Sequence, residues 1–311
     1  MIKKIKKINF NHSFIFFLLC NFFSLTAYLI NNYTISPIVC FFLILTVGVS
    51  HGALDNDKGK RLLQTFNKNN MFYFYLLYSL IAFSIIVLWF FFPTFTLIFF
   101  LVIASFHFGK EDTDFLIEKN SLFNEFLFFL KGTLIILAPI FFHFDETISI
   151  FKLLLVDNES FYRSLGFIES NNILYLLILL STLSNIFLFL KKFEIKKFII
   201  FFDYFSILII NYFFSPLLAF TIYFCFLHSI RHTITIIIDL DKNSLTNGFK
   251  IFLIKAFPLT LLTGIIGLIF LYFLNNFYDF DNSIMKIIFI GLASLTFPHI
   301  LLEYIIEKNE K

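Results

Sequence analysis

The chain has 311 residues, of which 59% are hydrophobic and 14% charged, with a formal net charge of +3. A water-soluble domain of this length carries about a quarter charged residues, so the composition excludes one. Apolar runs of about 18 or more residues recur from end to end, the signature of membrane-spanning helices. The expected fold class is all-α: a polytopic integral membrane protein with about ten transmembrane helices. One domain is expected over residues 1–311, with no soluble domain and no nucleic-acid partner.

The first predicted span, 13–30, follows a start that carries Lys3, Lys4, Lys6, Lys7 and His12. Its apolar run is long, has no clear small-residue cleavage site and leads straight into another span. It is expected to be a retained first helix, not a signal peptide. Span two, 35–51, ends in "VGVSHGALDND" with His51, and the connection 52–70 carries Lys58, Lys60, Arg61 and Lys68. Spans three and four, 71–92 and 94–109, are divided by Pro93. The fourth closes on "ASFHFGKED" with His107, before Lys110 and Lys119. Span five, 124–144, has His143 at its far end, and the long connection 145–172 holds only Lys152 and Arg163 among several acids. Span six, 173–190, leads through "KKFEIKK" to span seven, 198–214, and Pro216 opens span eight, 216–238. Lys242 and Lys250 precede span nine, 251–274; the acidic "NNFYDFDN" then precedes span ten, 283–305, which contains "TFPHILLEY".

Lys and Arg concentrate in alternate connections, while the others, "NNYT" among them, are poor in basic residues. Basic connections stay on the cytoplasmic side. The sequence therefore predicts a multi-pass protein of the cell (inner) membrane with both termini cytoplasmic.

This topology puts His51, His107, His228, His232 and His299 in one leaflet, on four helices running outside to inside. His12 and His143 lie elsewhere and are read as structural or solvated. His228 and His232 sit four apart in "FCFLHSIRHT" and so share a helix face, a spacing that lets two imidazoles bind one ion. Ionisable groups at such depth are functional by default, and a metal offsets their desolvation. All-nitrogen ligation suits Zn, Cu or Fe. Acids recur beside these histidines: Asp55 four after His51, Glu111 and Asp112 after His107, Glu303 four after His299. They are expected to tune a metal site rather than ligate it. Arg231, a poor neighbour for a cation, is expected to point away towards an acid or the headgroups.

The motifs "SHGALDND", "SFHFGKED", "CFLHSIRHT" and "FPHILLEY" resemble, in this order, those of the Brp/Blh family of bacterial and archaeal membrane β-carotene 15,15′-dioxygenases. The resemblance implies a non-haem Fe(II) held by His51, His107, His228 and His232. Asp55, Asp112, His299 and Glu303 are then candidates for contacts behind the ligands or, for His299, on the substrate side. It implies β-carotene and O₂ as substrates, taken in the lipid bilayer, and retinal as a product passed to a microbial rhodopsin. Central cleavage by such a site needs no side-chain acid or base.

Rival readings use the same residues. A membrane metal or proton transporter would stage polar groups across both leaflets, and the outer one has almost none. A di-iron oxygenase needs about eight histidines, and the chain has seven. A bis-histidine haem carrier needs ligand pairs stacked through the bilayer. No Gly-rich nucleotide fingerprint follows a strand, so no NAD or flavin is expected. The 52 Phe residues are read as lipid-facing or packing rings, and Cys20, Cys40 and Cys225 as small buried hydrophobes.

Overall fold

A computed structural model describes residues 2–30, 35–67, 70–117 and 121–309. "NNYT", Lys68 and Lys119 therefore lie outside the described residues. Among those described the regular structure is all helical. The helices are α1 (Ile2–Ile30), α2 (Pro37–Leu43), α3 (Asp55–Thr65), α4 (Met71–Phe91), α5 (Pro93–Glu111), α6 (Leu122–Phe142) and α7 (Phe144–Leu153). There follow α8 (Glu159–Ser170), α9 (Ile173–Leu190), α10 (Phe198–Phe213), α11 (Pro216–Ile222), α12 (Ile230–Leu240), α13 (Leu245–Leu274) and α14 (Phe280–Asn309). Pro37, Pro93 and Pro216 start three of them at the position where a missing N–H costs nothing. The side chains of Asn70, Ser121, Asn158 and Ser244 cap four others.

Nine helical segments among the described residues are long and apolar enough to cross a membrane, against about ten expected. The expected span 198–214 is the 16-residue α10, about 24 Å long and shorter than a typical hydrocarbon core of about 30 Å. Before its start Glu194 pairs with Lys6, and near its end the carbonyl of Asn211 accepts from His143. Two connections read as loops are helical. Residues 52–70 hold α3, continuous with span two, and 145–172 hold α7 and α8.

Contacts between connections sort the two ends. Lys4 reaches the carbonyl of Lys242, Lys6 pairs with Glu194, and Lys58 and Lys110 pair with Glu303 and Glu307. The basic connections thus gather at one end. At the other, Trp89 and Lys286 donate to the carbonyls of Leu154 and Leu153.

Two close approaches position the interior helices. A Cβ at Gly109 would lie 1.8 Å from the carbonyl oxygen of Phe128, and one at Gly132 would lie 1.7 Å from that of Ser105. Only glycine at both positions lets the backbones of α5 and α6 touch, as small residues do in membrane helix pairs. The second approach is between two π-helical turns, Ile44–Gly48 and Tyr223–Ser229. Gly48 lies flat on the Phe224 ring, 2.6 Å from where its Cβ would be. Each wide turn adjoins or contains a histidine of the site, a frequent place for such turns. Many Phe rings, such as Phe90, Phe95 and Phe257, are exposed on the flanks, as a lipid-facing surface requires.

Candidate metal centre

The five histidines assigned to one leaflet meet in one cluster. His51 lies in a 3₁₀ turn (Val49–Leu54), His107 on α5, His228 in the π turn, His232 on α12 and His299 on α14. The ring of His51 is 5.4, 5.3 and 5.5 Å from those of His228, His232 and His299. That of His107 is 5.4 Å from both His228 and His299. Imidazoles bound to one ion through bonds of about 2.1 Å have ring centres roughly 4.5–6 Å apart, a range within which these separations fall. His12 and His143 stay outside: their Nε2 atoms meet the carbonyls of Phe226 and Asn211 at 2.8 and 2.7 Å.

The cluster is oriented from behind. His51 Nδ1 is 2.5 Å from the Gly48 carbonyl. His228 Nδ1 is 3.2 Å from Asp112, His232 Nδ1 is 3.2 Å from Glu111, and His299 Nδ1 is 2.8 Å and 3.0 Å from the two oxygens of Asp55. Carbonyls and carboxylates accept, so in each case Nδ1 carries the hydrogen and Nε2 the lone pair. This is the arrangement by which outer contacts fix a metal-binding imidazole. Nε2 of His228 and of His299 are buried without a partner. An unpaired buried acceptor costs about 1–3 kcal/mol, a cost that coordination would offset. His232 differs: its Nε2 is 3.4 Å from Lys58 Nζ.

The acids pair across helices, not along them. Asp55, four residues after His51, holds His299 and also accepts from the Tyr78 hydroxyl at 2.9 Å. Glu303, four after His299, pairs with Lys58. Asp112 accepts from the Tyr223 hydroxyl at 2.7 Å while its backbone carbonyl accepts from Arg231 at 3.1 Å. Arg231 points away from the histidines to a bidentate pairing with Asp203 at 2.8 and 2.9 Å, with Ser13 at 2.6 Å. Asp203 and Lys131 were not read from the sequence. Each is a charge set in an apolar stretch, in "FFDYF" and "FFLKGT", and that oddity was the available signal. Formally, the carboxylates Asp55, Glu111, Asp112, Asp203 and Glu303 outnumber the cations Lys58, Lys131 and Arg231 by two. One divalent ion has the compensating charge.

A cavity of about 250 Å³ ends at this cluster, lined by His51, His107, His228 and His299. Its walls continue through Tyr75 and Tyr78 of α4 and Leu259 and Leu262 of α13, and Tyr75 and Leu262 are exposed on the flank. The cavity therefore opens sideways, where lipid would be. Phe108, edge-on to His228 at 4.8 Å, separates it from a second cavity of about 80 Å³ lined by Ala104, Phe220, Trp89 and other apolar side chains.

A family model described as beta-carotene 15,15′-dioxygenase matches residues 42–307. A protein from uncultured marine bacterium 66A03, named beta-carotene 15,15′-dioxygenase, is 25% identical over 261 residues, covering 84% of this chain and 90% of its own. No solved structure matches significantly.

Proposed function

This chain belongs to the β-carotene 15,15′-dioxygenase family, and on that premise we propose that it cleaves β-carotene at its central double bond into two molecules of retinal. The observation that carries the reading is the imidazole cluster with Nδ1 atoms anchored outward, at the inner end of a cavity open to the membrane flank. We further propose that the cofactor is Fe(II), with His51, His107, His228 and His232 as ligands by family resemblance. Neutral nitrogen donors and a formal excess of two carboxylates suit a divalent ion of this kind.

When bound, iron supplies the activation of dioxygen. The remaining work falls to the chain. The cavity, open to the flank, admits a hydrocarbon from lipid. Phe108 and Phe224 give flat surfaces beside His228, at 4.8 and 5.9 Å, on which a conjugated chain can lie. β-Carotene is about as long as the bilayer is thick and symmetric about the reacting bond, so apolar space is needed on both sides. The lateral cavity and the second one beyond Phe108 supply it. Asp55, Glu111 and Asp112 hold the imidazoles in register. The overall change is one C=C and one O₂ becoming two C=O groups, which balances without external electrons. That suits a chain whose buried acids are all engaged in orienting or neutralising contacts. A microbial rhodopsin is the proposed recipient of the retinal.

The test is purified protein in detergent with β-carotene, Fe(II) and ¹⁸O₂, with rapid trapping of the aldehydes. Label in both retinal molecules is expected. Apocarotenals of unequal length, or an absolute need for NADPH, would overturn the reading. Metal analysis of the same sample separates it from a transporter, for which exchangeable metal without turnover is the outcome.

A further inference from the structure

We propose that His299 is itself a metal ligand, contributing Nε2 to the same centre as His51, His107 and His228. The inference rests on the reading of the cluster as a metal centre and adds His299 to the ligands proposed above. Three independent observations converge on this residue. First, Nε2 of His299 is buried and unpartnered, a condition shared among the cluster's Nε2 atoms with that of His228. Second, Asp55 grips its Nδ1 with both oxygens, at 2.8 and 3.0 Å, tighter than the 3.2 Å contacts behind His228 and His232. A carboxylate on Nδ1 raises the basicity of Nε2 and fixes the ring plane, as behind many metal-bound histidines. Third, two separate groupings contain it. The cavity's histidines are His51, His107, His228 and His299. The donor atoms of His232, His299 and Glu303 all lie within 4.8 Å of one another, a grouping that leaves out His51, His107 and His228.

The two groupings share only His299, and the other contacts of His232 and Glu303 set those two apart. Glu303 is engaged by Lys58, and the same ammonium stands 3.4 Å from Nε2 of His232. A cation at that nitrogen competes directly with a metal ion, so ligation by His232 requires Lys58 to move. No hydrogen bond reaches Nε2 of His299, and its ring faces those of His51 and His107 at 5.5 and 5.4 Å.

The experiment is anaerobic titration of the purified full chain with Fe(II), and with Co(II) as a spectroscopic probe, following affinity and the Co(II) ligand-field spectrum. Wild type, His228→Ala, His299→Ala, His299→Gly and, as a control outside the cluster, His143→Ala are compared. His299→Ala is expected to weaken binding as much as His228→Ala, by more than about 100-fold, beyond the range usual for outer contacts. Added imidazole is expected to restore the Co(II) spectrum of His299→Gly, a rescue that a purely structural histidine would not give. Asp55→Asn, which leaves the ring in place, serves if the His299 variants do not fold, and is expected to shift the spectrum and weaken binding about 10–100-fold. Wild-type affinity in folded His299→Ala, or in Asp55→Asn where it stands in, overturns the inference. Failure of wild type to bind either ion overturns the metal centre itself, a distinguishable result.

Discussion

The carboxylate of Asp55 receives the Nδ1–H of His299, a residue 244 positions away, at 2.8 Å. Its helical neighbour His51, four residues earlier, turns instead to the carbonyl of Gly48. Asp55 thus links the second span to the last, and Asp112 does the same between α5 and His228. Asp55→Asn and Asp112→Asn are each expected to lower metal affinity about 10–100-fold with the fold intact. Glu303→Gln, whose side chain meets Lys58, is expected to have a smaller effect. Anaerobic Fe(II) titration of the three variants checks the order, and equal affinity throughout would return all three acids to ordinary interfacial groups.

Arg231 is fully buried against Asp203, Ser13 and the Asp112 carbonyl. Removing one partner of a buried ion pair strands the other charge, at a cost of about 3–5 kcal/mol. Arg231→Met should therefore melt far below wild type in detergent. Arg231→Met with Asp203→Leu removes both charges and should recover much of the loss. A double variant no better than the single one would contradict the pairing.

Gly109→Ala places a methyl 1.8 Å from a backbone oxygen, which cannot move as a side chain can. The helix pair must part, at a cost of at least about 1–3 kcal/mol. Because His107 lies two residues away on α5, metal binding should fall together with the melting midpoint. Gly166→Ala, with nothing within 4 Å of the added Cβ, is the neutral comparison. Equal stability of the two variants would refute the close contact.

Ala104→Phe fills the small cavity beyond Phe108, whose lining includes no histidine. If that cavity takes one half of the substrate, turnover of β-carotene should drop at least about tenfold while metal content stays at wild-type level. Undiminished turnover would remove the second cavity from the substrate path.

Reporter fusions at residues 65, 160, 194 and 279 should read in, out, in, out. The basis is the gathering of the basic connections at one end, as in the contact of Lys6 with Glu194. An outside signal at 194 would break this order and the common depth of the histidines with it.

Hydropathy and charge alternation determined the all-helical membrane fold, because apolar length and the siting of Lys and Arg are local properties of the chain. They also put five histidines at one depth, since depth follows from position along a span. The partners of those histidines were beyond that reasoning. Spacing places Asp55 with His51 and Glu303 with His299, yet Asp55 pairs with His299 and Glu303 with Lys58. Two π turns and a 3₁₀ turn rotate side chains off the regular helical faces that spacing assumes. Hydrogen bonds then form between whichever groups helix packing brings within about 3 Å. That packing is set by contacts such as Gly109 against Gly132 and Gly48 against Phe224, between residues remote in sequence, and only the tertiary structure decided it.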